Sequence, residues 1–233
     1  MTRLLALSLC LVALVAVSCG DDDEDGDAGG AGEAAAHPKQ EEEQPQQGCP
    51  EVEQPQPKPD GGAKKPSAKL DPAKTYVVVL ETSCGNITVR LDQKSSPNTA
   101  ASFASLTRAG FYDGTAFHRI VPGFVIQGGD PTGTGTGGPG YSVRDKPPAG
   151  TAYTEGVVAM AKTGAEPAGT SGSQFYIVTA PDAGLPPDYA LLGKVVKGMD
   201  VALAIGELGD PASGGAGTPL QPVVIEKARL DVS

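Results

Sequence analysis

The aromatic residues of this chain are confined to one part of it, and this limits where a folded core can form. All 6 tyrosines and all 5 phenylalanines lie at or after Tyr76. Because aromatic side chains contribute much of the apolar area that a core buries, the residues before Tyr76 are not expected to fold as a domain. Residues 71–233 remain, and a segment of that length can build one stable hydrophobic core.

The net charge of the chain argues against one class of partner. The 233 residues include 18 Lys and Arg and 28 Asp and Glu, which gives a formal net charge of -10 at pH 7. Proteins that bind nucleic acid need clustered cations to neutralise the phosphates. We therefore expect no nucleic-acid partner.

An apolar segment at residues 4–17 follows Arg3. It is shorter than the roughly 20 residues that cross a bilayer as a helix, and it suits the apolar part of a secretory signal. Residues 16–19, AVSC, resemble a bacterial lipobox, although the third position before the cysteine usually holds Leu, Val or Ile rather than Ala. The sequence therefore predicts a lipoprotein signal peptide over residues 1–18 and lipidation of Cys19.

A lipid on Cys19 would place the protein in the cell envelope. It would be anchored to the outer face of the cytoplasmic membrane, or would be periplasmic if an outer membrane exists. The alternative is ordinary signal peptidase cleavage, which would release a soluble secreted protein.

Residues 19–70 have the composition of a disordered tether. Between residues 20 and 70 there are 13 acidic and 5 basic residues, and the only large aliphatic residues are Val52 and Leu70. Such a segment cannot bury enough apolar area to offset its conformational entropy. We therefore expect a lipid-anchored, acidic, Pro/Gly/Gln-rich tether that leads to a folded domain over residues 71–233.

The chain has 4 cysteines, and processing of the predicted signal peptide would account for two of them. Cys10 is removed with the signal peptide and Cys19 carries the lipid. Cys49 and Cys84 remain, in a compartment where disulfides persist. A disulfide between them would fasten the end of the tether to the domain, and two free thiols are the alternative.

Alternation of apolar and polar residues predicts a β-hairpin at the start of the domain, from residues 75–82 and 87–92. Ser96 followed by Pro97 suits a helix start, and the apolar face that follows predicts a helix over residues 97–109. A second helix is expected at residues 199–208. Short segments with strand character lie at residues 117–121, 124–127, 157–161, 174–178, 190–196 and 222–230.

Many short strands with Gly and Pro turns and two helices indicate a mainly β fold. We expect a closed antiparallel β-barrel with helices at its ends, because closure removes exposed strand edges.

Several kinds of catalytic site can be excluded. The chain has 2 histidines, His37 and His118, which are too few for a His-rich metal site. No Gly-x-Ser-x-Gly elbow precedes a helix, and the glycine-rich residues 133–138 lack the Lys and the following helix of a phosphate-binding loop. We expect no metal ion and no cofactor, and we interpret His118 as a hydrogen-bonded structural histidine.

Four motifs remain, and they occur in a fixed order. Residues 117–130 are FHRIVPGFVIQGGD, and they are followed by GTGG at 135–138, VAMA at 158–161 and GSQFY at 172–176. Their order and spacing resemble those of the cyclophilin-type peptidyl-prolyl cis-trans isomerases. The resemblance implies an eight-stranded antiparallel β-barrel closed by two α-helices, and an isomerase that acts on proline-containing polypeptides.

The resemblance also implies roles for individual residues. Arg119 matches the catalytic arginine of the family and Gln127 matches an amide that orients the substrate. The positions that match substrate-binding residues are Phe124, Val125, Ala161, Lys162, Gln174, Tyr176, Leu185 and Tyr189.

The chain departs from the family pattern at three of the matched positions. Gly184 replaces a Trp that many relatives use to bind cyclosporin, so we expect weak sensitivity to that drug. Tyr189 replaces a His at the rim of the pocket, where the phenol can still donate a hydrogen bond. Lys162 replaces an Asn and adds a positive charge that would favour acidic residues near the proline.

The leading hypothesis is a monomeric, lipid-anchored isomerase that assists the folding of exported proteins. Arg119 would stabilise the twisted amide, because its guanidinium is always charged and can donate to the proline nitrogen. The first alternative is a non-catalytic chaperone or scaffold that binds proline-containing peptides. The second is a barrel that carries small apolar ligands, although barrels of this size can be filled by their own side chains.

Overall fold

A computed structural model describes residues 48–233. The predicted signal peptide, Cys19 and the first part of the predicted tether lie outside the described residues.

The described chain contains eleven strands, two α-helices and one 3-10 helix. The strands are β1 (Tyr76–Thr82), β2 (Gly85–Leu91), β3 (Thr115–Ala116), β4 (Arg119–Val121), β5 (Val125–Gly128), β6 (Val143–Arg144), β7 (Val157–Met160), β8 (Thr170–Ser171), β9 (Phe175–Val178), β10 (Leu191–Lys197) and β11 (Val224–Val232). The helices are α1 (Pro97–Arg108) and α2 (Met199–Gly206), and the 3-10 helix is Pro211–Ala216.

Nine of the strands form one antiparallel sheet in the order β3-β11-β1-β2-β10-β7-β9-β5-β4, and β6 pairs separately with β8. Alternate residues of each strand point to opposite faces of the sheet. One face carries the main core, in which Ile120, Ile126 and Ile177 are fully buried together with Phe175. The other face carries a smaller apolar cluster built around Val125, Ala159, Tyr176 and Val178.

The prediction of a mainly β fold is confirmed. The sheet is curled, and the two strands at its ends are close together in sequence. The end strands β3 and β4 are separated only by Phe117 and His118. No pair of strands in residues 48–233 joins these two ends, so a closed eight-stranded barrel is not shown. The prediction missed β3, β6 and β8 because two residues are too few to display an alternating pattern.

Both predicted helices are present, and each ends slightly earlier than predicted. The free N–H groups at the start of α1 do not find the acceptor that the sequence suggested, because the hydroxyl of Ser96 makes no capping hydrogen bond. Instead Asp145 Oδ2 accepts from the backbone N–H of Thr99 at 2.6 Å, and Asp145 Oδ1 accepts from Asn98 Nδ2 at 2.8 Å. A carboxylate is favourable there because the free N–H groups give this end of a helix a partial positive charge.

The segment of the predicted tether that the structure describes contacts the domain. Residues 48–65, called the strap below, contain no helix or strand. Cys49 forms a disulfide with Cys84, with the Cα atoms 4.4 Å apart, and Cys49, Ala63 and Leu70 pack against the main core. Contacts with the domain therefore begin well before residue 71, where the sequence placed the start of the domain.

In residues 48–233, no helix has both the length and the apolar character that a membrane span requires.

The capping role of Asp145 predicts a loss of stability on truncation. We expect Asp145→Ala to lower the free energy of unfolding by about 1–2 kcal/mol, because the helix loses a charged cap and the N–H of Thr99 loses its acceptor. Urea unfolding of the full chain measures this. Glu155→Ala removes an exposed carboxylate and serves as the control, and equal values for the two variants would contradict the capping role.

Candidate active site

A row of residues crosses four strands on the face of the sheet opposite the main core. Arg119 on β4 lies opposite Gln127 on β5, which lies opposite Tyr176 on β9, which lies opposite Ala159 on β7. Directly opposed residues in antiparallel strands point to the same face. The register therefore places one cation, one amide and one aromatic ring side by side.

Hydrogen bonds continue this row into a relay, defined here as Arg119, Gln127 and Gln174. Arg119 Nη1 donates to Gln127 Oε1 at 3.3 Å, and Gln127 Nε2 donates to Gln174 Oε1 at 3.0 Å. Gln174 Nε2 then donates to the carbonyls of Gly135 and Gly137 at 3.0 and 2.9 Å. Each amide is thus held at both ends, which fixes the side of Gln127 that faces the guanidinium.

A cavity of about 340 Å³ opens beside the relay. Its lining combines the guanidinium with aromatic and aliphatic side chains: Arg119, Phe124, Val125, Gln127, Ala161, Lys162, Tyr176, Leu185 and Tyr189. These are nine of the ten residues to which the resemblance assigned catalytic or binding roles. The tenth, Gln174, lies behind Gln127 and holds it by a hydrogen bond.

Arg119 is partly buried at the cavity, and this affects its electrostatics. Burial lowers the pKa of its guanidinium, and the neighbouring phenol of Tyr189 raises that pKa again. An arginine remains charged even so, because its ordinary pKa lies far above neutral pH. Nε donates to the carbonyl of Gly215 at 3.1 Å, so the cation is oriented from two sides.

Tyr153 supports the site, although the family resemblance assigned it no role in the sequence analysis. Its buried hydroxyl donates to the carbonyl of Tyr189 at 2.6 Å and accepts from the N–H of Tyr189 at 3.0 Å. The rings of Tyr176 and Tyr189 meet edge to face, with centroids 5.7 Å apart. Tyr153 therefore positions the loop that carries Tyr189.

Tyr176 is 4% exposed, and its hydroxyl has no hydrogen-bond partner within residues 48–233. Burial, with smaller contributions from Tyr153 and Tyr189, raises the pKa of Tyr176 well above its usual value. The phenol is therefore neutral and contributes mainly apolar surface to the cavity.

Lys162 is engaged by its own surroundings. Its ammonium pairs with Asp188 Oδ2 at 2.5 Å and donates to the carbonyls of Thr163 and Glu166 at 3.2 and 3.1 Å. The Lys162 side chain is only 4% exposed. The positive charge that Lys162 was expected to add beside the groove is paired with Asp188, which weakens the attraction it could exert on acidic residues near the proline.

Ala161 is one of the positions that match substrate-binding residues, and its methyl side chain leaves the backbone groups as its polar contacts. Its N–H already donates to the carbonyl of Gln174 at 2.9 Å. The carbonyl of Ala161 is therefore the backbone group at this position that can face a ligand.

The glycine-rich residues 133–138 form a loop that wraps around the buried carboxylate of Asp130. Asp130 Oδ1 accepts from the N–H and the hydroxyl of Thr132 at 2.8 and 2.9 Å, and Oδ2 accepts from the N–H groups of Gly135 and Gly137. Burial acts to raise the pKa of Asp130, but these donors outweigh it and the pKa is lowered. The N–H groups of the loop thus take the place of water around the Asp130 carboxylate, so the loop binds an anion of the protein itself rather than a phosphate.

The interpretation of His118 as a hydrogen-bonded histidine is wrong. Neither ring nitrogen makes a hydrogen bond of acceptable geometry within residues 48–233, although the side chain of Gln174 lies near the ring. Burial lowers the pKa of His118, and Arg119 lowers it further, whereas Asp130 and Gln174 raise it; the net shift is downward, so the ring is neutral at pH 7.

Residues 48–233 contain no group of three or more His, Cys, Asp or Glu side chains that could hold a metal ion.

Comparisons with known proteins agree on one family. The family model described as cyclophilin type peptidyl-prolyl cis-trans isomerase/CLD matches residues 77–230. The peptidyl-prolyl cis-trans isomerase-like 1 of Gibberella zeae is 39% identical over 160 residues, which cover 67% of this chain and 95% of that protein. The peptidyl-prolyl cis-trans isomerase CYP18-2 of Arabidopsis thaliana is 40% identical over 157 residues, which cover 66% and 92%.

A solved structure gives the same result. The crystal structure of a Cryptosporidium parvum cyclophilin type peptidyl-prolyl cis-trans isomerase in the presence of the dipeptide Ala-Pro has a TM-score of 0.60 and 29% identity to this chain. The matched region covers 66% of this chain and 98% of that chain.

The lowered pKa of Asp130 predicts a pH-dependent stability. Because the folded-state pKa lies below the ordinary value of 3.8, the ionised group stabilises the fold above pH 3.8 and this stabilisation is lost as the pH falls through the folded-state value. We expect Asp130→Asn to lower the free energy of unfolding by about 1–3 kcal/mol at pH 7.

Urea unfolding of the full chain at neutral and acidic pH measures this effect. The difference between wild type and Asp130→Asn should shrink as the pH falls below 3.8. Glu155→Gln, at an exposed position, is the matched control and should show no such trend. A difference that is independent of pH would contradict the electrostatic role of Asp130.

Proposed function

The chain belongs to the cyclophilin-type peptidyl-prolyl cis-trans isomerases, and we propose that it accelerates rotation of X-Pro bonds by holding Arg119 against the twisted amide. The observation that carries this mechanism is the cation held by hydrogen bonds at the edge of an apolar cavity. Isomerase activity is the property of the family, and the roles of the individual residues are the proposal.

The reaction requires no covalent bond to form or break. Rotation about a peptide bond faces a barrier of about 18–20 kcal/mol, because twisting removes amide resonance. The cis and trans forms of an X-Pro bond are close in energy and interconvert over roughly tens to hundreds of seconds. An enzyme therefore needs only to bind the twisted amide more tightly than either planar form.

Arg119 supplies this selectivity. In the twisted state the proline nitrogen becomes pyramidal and regains a lone pair, which can accept a hydrogen bond. The guanidinium of Arg119 carries several N–H donors in a rigid fork, and only some of them are used by Gln127 and Gly215. The donor is in place before the amide twists, so little reorganisation opposes the reaction.

The cavity walls supply the second part of the mechanism. Phe124, Val125, Tyr176 and Leu185 would contact the proline ring and displace water from it. Excluding water lowers the local dielectric, which strengthens the contact between Arg119 and the nitrogen. Gln127 keeps the guanidinium pointed at the cavity, and its position in the middle of the relay fits this role.

The two alternatives are less well supported. A module that only binds proline-containing peptides has no use for a relay that orients a cation toward the cavity. A carrier of small apolar ligands would need space inside the curled sheet, but Phe103, Ile126 and Met160 fill that face. The cavity lies on the opposite face, beside Val125 and Tyr176.

The finer fold prediction is part of this proposal. The ends β3 and β4 are separated by two residues, and the N–H of Phe117 between them donates to the carbonyl of Val223 at 2.9 Å. This short connection supports a sheet that closes on itself as a barrel. We also propose that the chain acts as a monomer.

We further propose that the clients are exported proteins and that the enzyme is lipid-anchored at Cys19. The support is the apolar segment at residues 4–17 and the AVSC sequence at residues 16–19. The Cys49–Cys84 disulfide fits the oxidising compartment that such a signal implies. The family match begins at residue 77, so the anchor and the tether are additions to the matched domain.

The proposed mechanism predicts a large loss of activity on removal of the guanidinium. In the full chain, Arg119→Ala should lower kcat/KM for cis-to-trans relaxation of an X-Pro peptide by about 100-fold, because a preorganised donor to the transition state is lost. Arg119→Lys should be intermediate, since it keeps the charge and loses the fork.

Arg90→Ala is the matched control, because Arg90 is exposed on the distant strand β2. A folded Arg119→Ala variant with wild-type activity would refute the mechanism. A folded wild-type chain that binds the peptide without accelerating its isomerisation would favour the non-catalytic chaperone.

The proposed anchor predicts where the protein is found. Expressed in a bacterial host, the wild-type chain should partition with membranes. The mass of the mature protein should correspond to a chain that begins at Cys19 and carries a diacylglyceryl group. Cys19→Ser should abolish this lipidation, whereas Cys10→Ser should not, because Cys10 is removed with the signal peptide. A cleaved, unlipidated wild-type protein in the soluble fraction would establish ordinary secretion instead.

A further inference from the structure

The strap forms hydrogen bonds with both ends of the glycine-rich loop. At the start of the loop, the N–H of Lys58 donates to the carbonyl of Pro131 at 2.8 Å. At its end, the N–H of Gly138 donates to Asp60 Oδ1 at 2.8 Å, and the N–H of Gly61 donates to the carbonyl of Gly138 at 2.9 Å. The strap therefore holds the chain just before the loop, at Pro131, and at the last residue of the loop, Gly138.

The fit between strap and loop is close. A Cβ atom added to Gly140 would lie 3.0 Å from the Cα of Gly61 and 3.0 Å from the nitrogen of Gly62. Gly140 also has a φ of 85°, a conformation that residues with a Cβ rarely adopt. The two backbones thus approach more closely than a side chain at Gly140 would permit.

The strap is held independently of the loop. The disulfide between Cys49 and Cys84 secures one end. The ammonium of Lys58 donates to the carbonyls of Phe111 and Asp113, at 2.7 and 3.0 Å, just beyond the C-terminus of α1, where a cation is favourable. The strap can therefore act as a fixed support for the loop.

The loop in turn holds the relay. The carbonyls of Gly135 and Gly137 are the acceptors for Gln174 Nε2, and Gln174 holds Gln127, which holds Arg119. Glycine-rich backbone has high conformational freedom. Asp130 restrains this loop from inside, through the N–H groups of Gly135 and Gly137, and the strap adds restraint from outside, at Pro131 and Gly138. Asp60 is thus connected to the guanidinium through its hydrogen bond with Gly138, the peptide backbone between Gly138 and Gly137, and the hydrogen bonds of the relay.

We propose that the strap, through Asp60, is a positioning element that fixes the glycine-rich loop and thereby orients Arg119 for isomerisation. The proposal rests on the proposed function of Arg119. The strap precedes the region matched by the family model, residues 77–230, so this support is an addition made by the chain to the matched domain.

The test compares two changes at Asp60 in the full chain. Asp60→Ala removes the acceptor for Gly138, and should lower kcat about three- to tenfold with little change in KM, because the donor is misplaced while the cavity is kept. Asp60→Asn keeps an oxygen at Oδ1 and should restore the wild-type kcat. Glu53→Ala, an exposed carboxylate on the same strap, is the matched control and should have no effect.

A spectroscopic measurement separates positioning from a general loss of stability. The side-chain amide resonances of Gln127 and Gln174 should shift in Asp60→Ala and remain unchanged in Glu53→Ala. Cys49→Ser should lower kcat in the same direction. The loss of kcat in the double variant should be smaller than the two separate losses combined, because both substitutions act through the strap.

Two outcomes distinguish the proposals. If Arg119→Ala is inactive but Asp60→Ala keeps wild-type kcat and unshifted amide resonances, the strap has no positioning role and the proposed function stands. If Arg119→Ala keeps wild-type activity, the proposed function fails. Equal losses of kcat in Asp60→Ala and Asp60→Asn would overturn the role of the Oδ1 acceptor.

Discussion

The register between β4, β5 and β9 determines what the site can be. Because Arg119 lies opposite Gln127 and Gln127 lies opposite Tyr176, a shift of β4 by one residue would send the cation into the main core and bring Ile120 out. The core prevents such a shift, since Ile120, Ile126 and Ile177 are fully buried on the other face. Packing on one face of the sheet thus fixes the chemistry on the other.

A charged group at an apolar cavity is costly unless its surroundings satisfy it. Here the guanidinium contacts a neutral amide rather than a carboxylate, so its charge is oriented without being neutralised. Lys162 shows the opposite arrangement, because Asp188 pairs with it directly. Among the described residues that line the cavity, the Arg119 cation is not paired with a carboxylate and the Lys162 ammonium is, so in the proposed mechanism Arg119 is the group that stabilises the lone pair of the substrate.

The sequence predicted the parts of the molecule that depend on local patterns or on contiguous motifs. Local patterns predicted the hairpin and both helices, and the family resemblance assigned roles to the nine residues that line the cavity. The sequence did not predict features made by residues distant in sequence, such as the cap that Asp145 provides to Thr99 and the support that Tyr153 gives to Tyr189. The neutralisation of Lys162 was missed for the same reason, since composition does not reveal partners across a loop.

The strap shows what the composition of residues 48–65 does not reveal. Its few apolar residues cannot form a core, and that argument remains sound, but the strap needs no core of its own. Backbone hydrogen bonds, one disulfide and the ammonium of Lys58 attach it to a domain that is already folded. In the proposed arrangement the disulfide makes this attachment covalent only where thiols are oxidised, so the support for Arg119 would be complete in the oxidising compartment to which the proposed signal peptide would direct the chain.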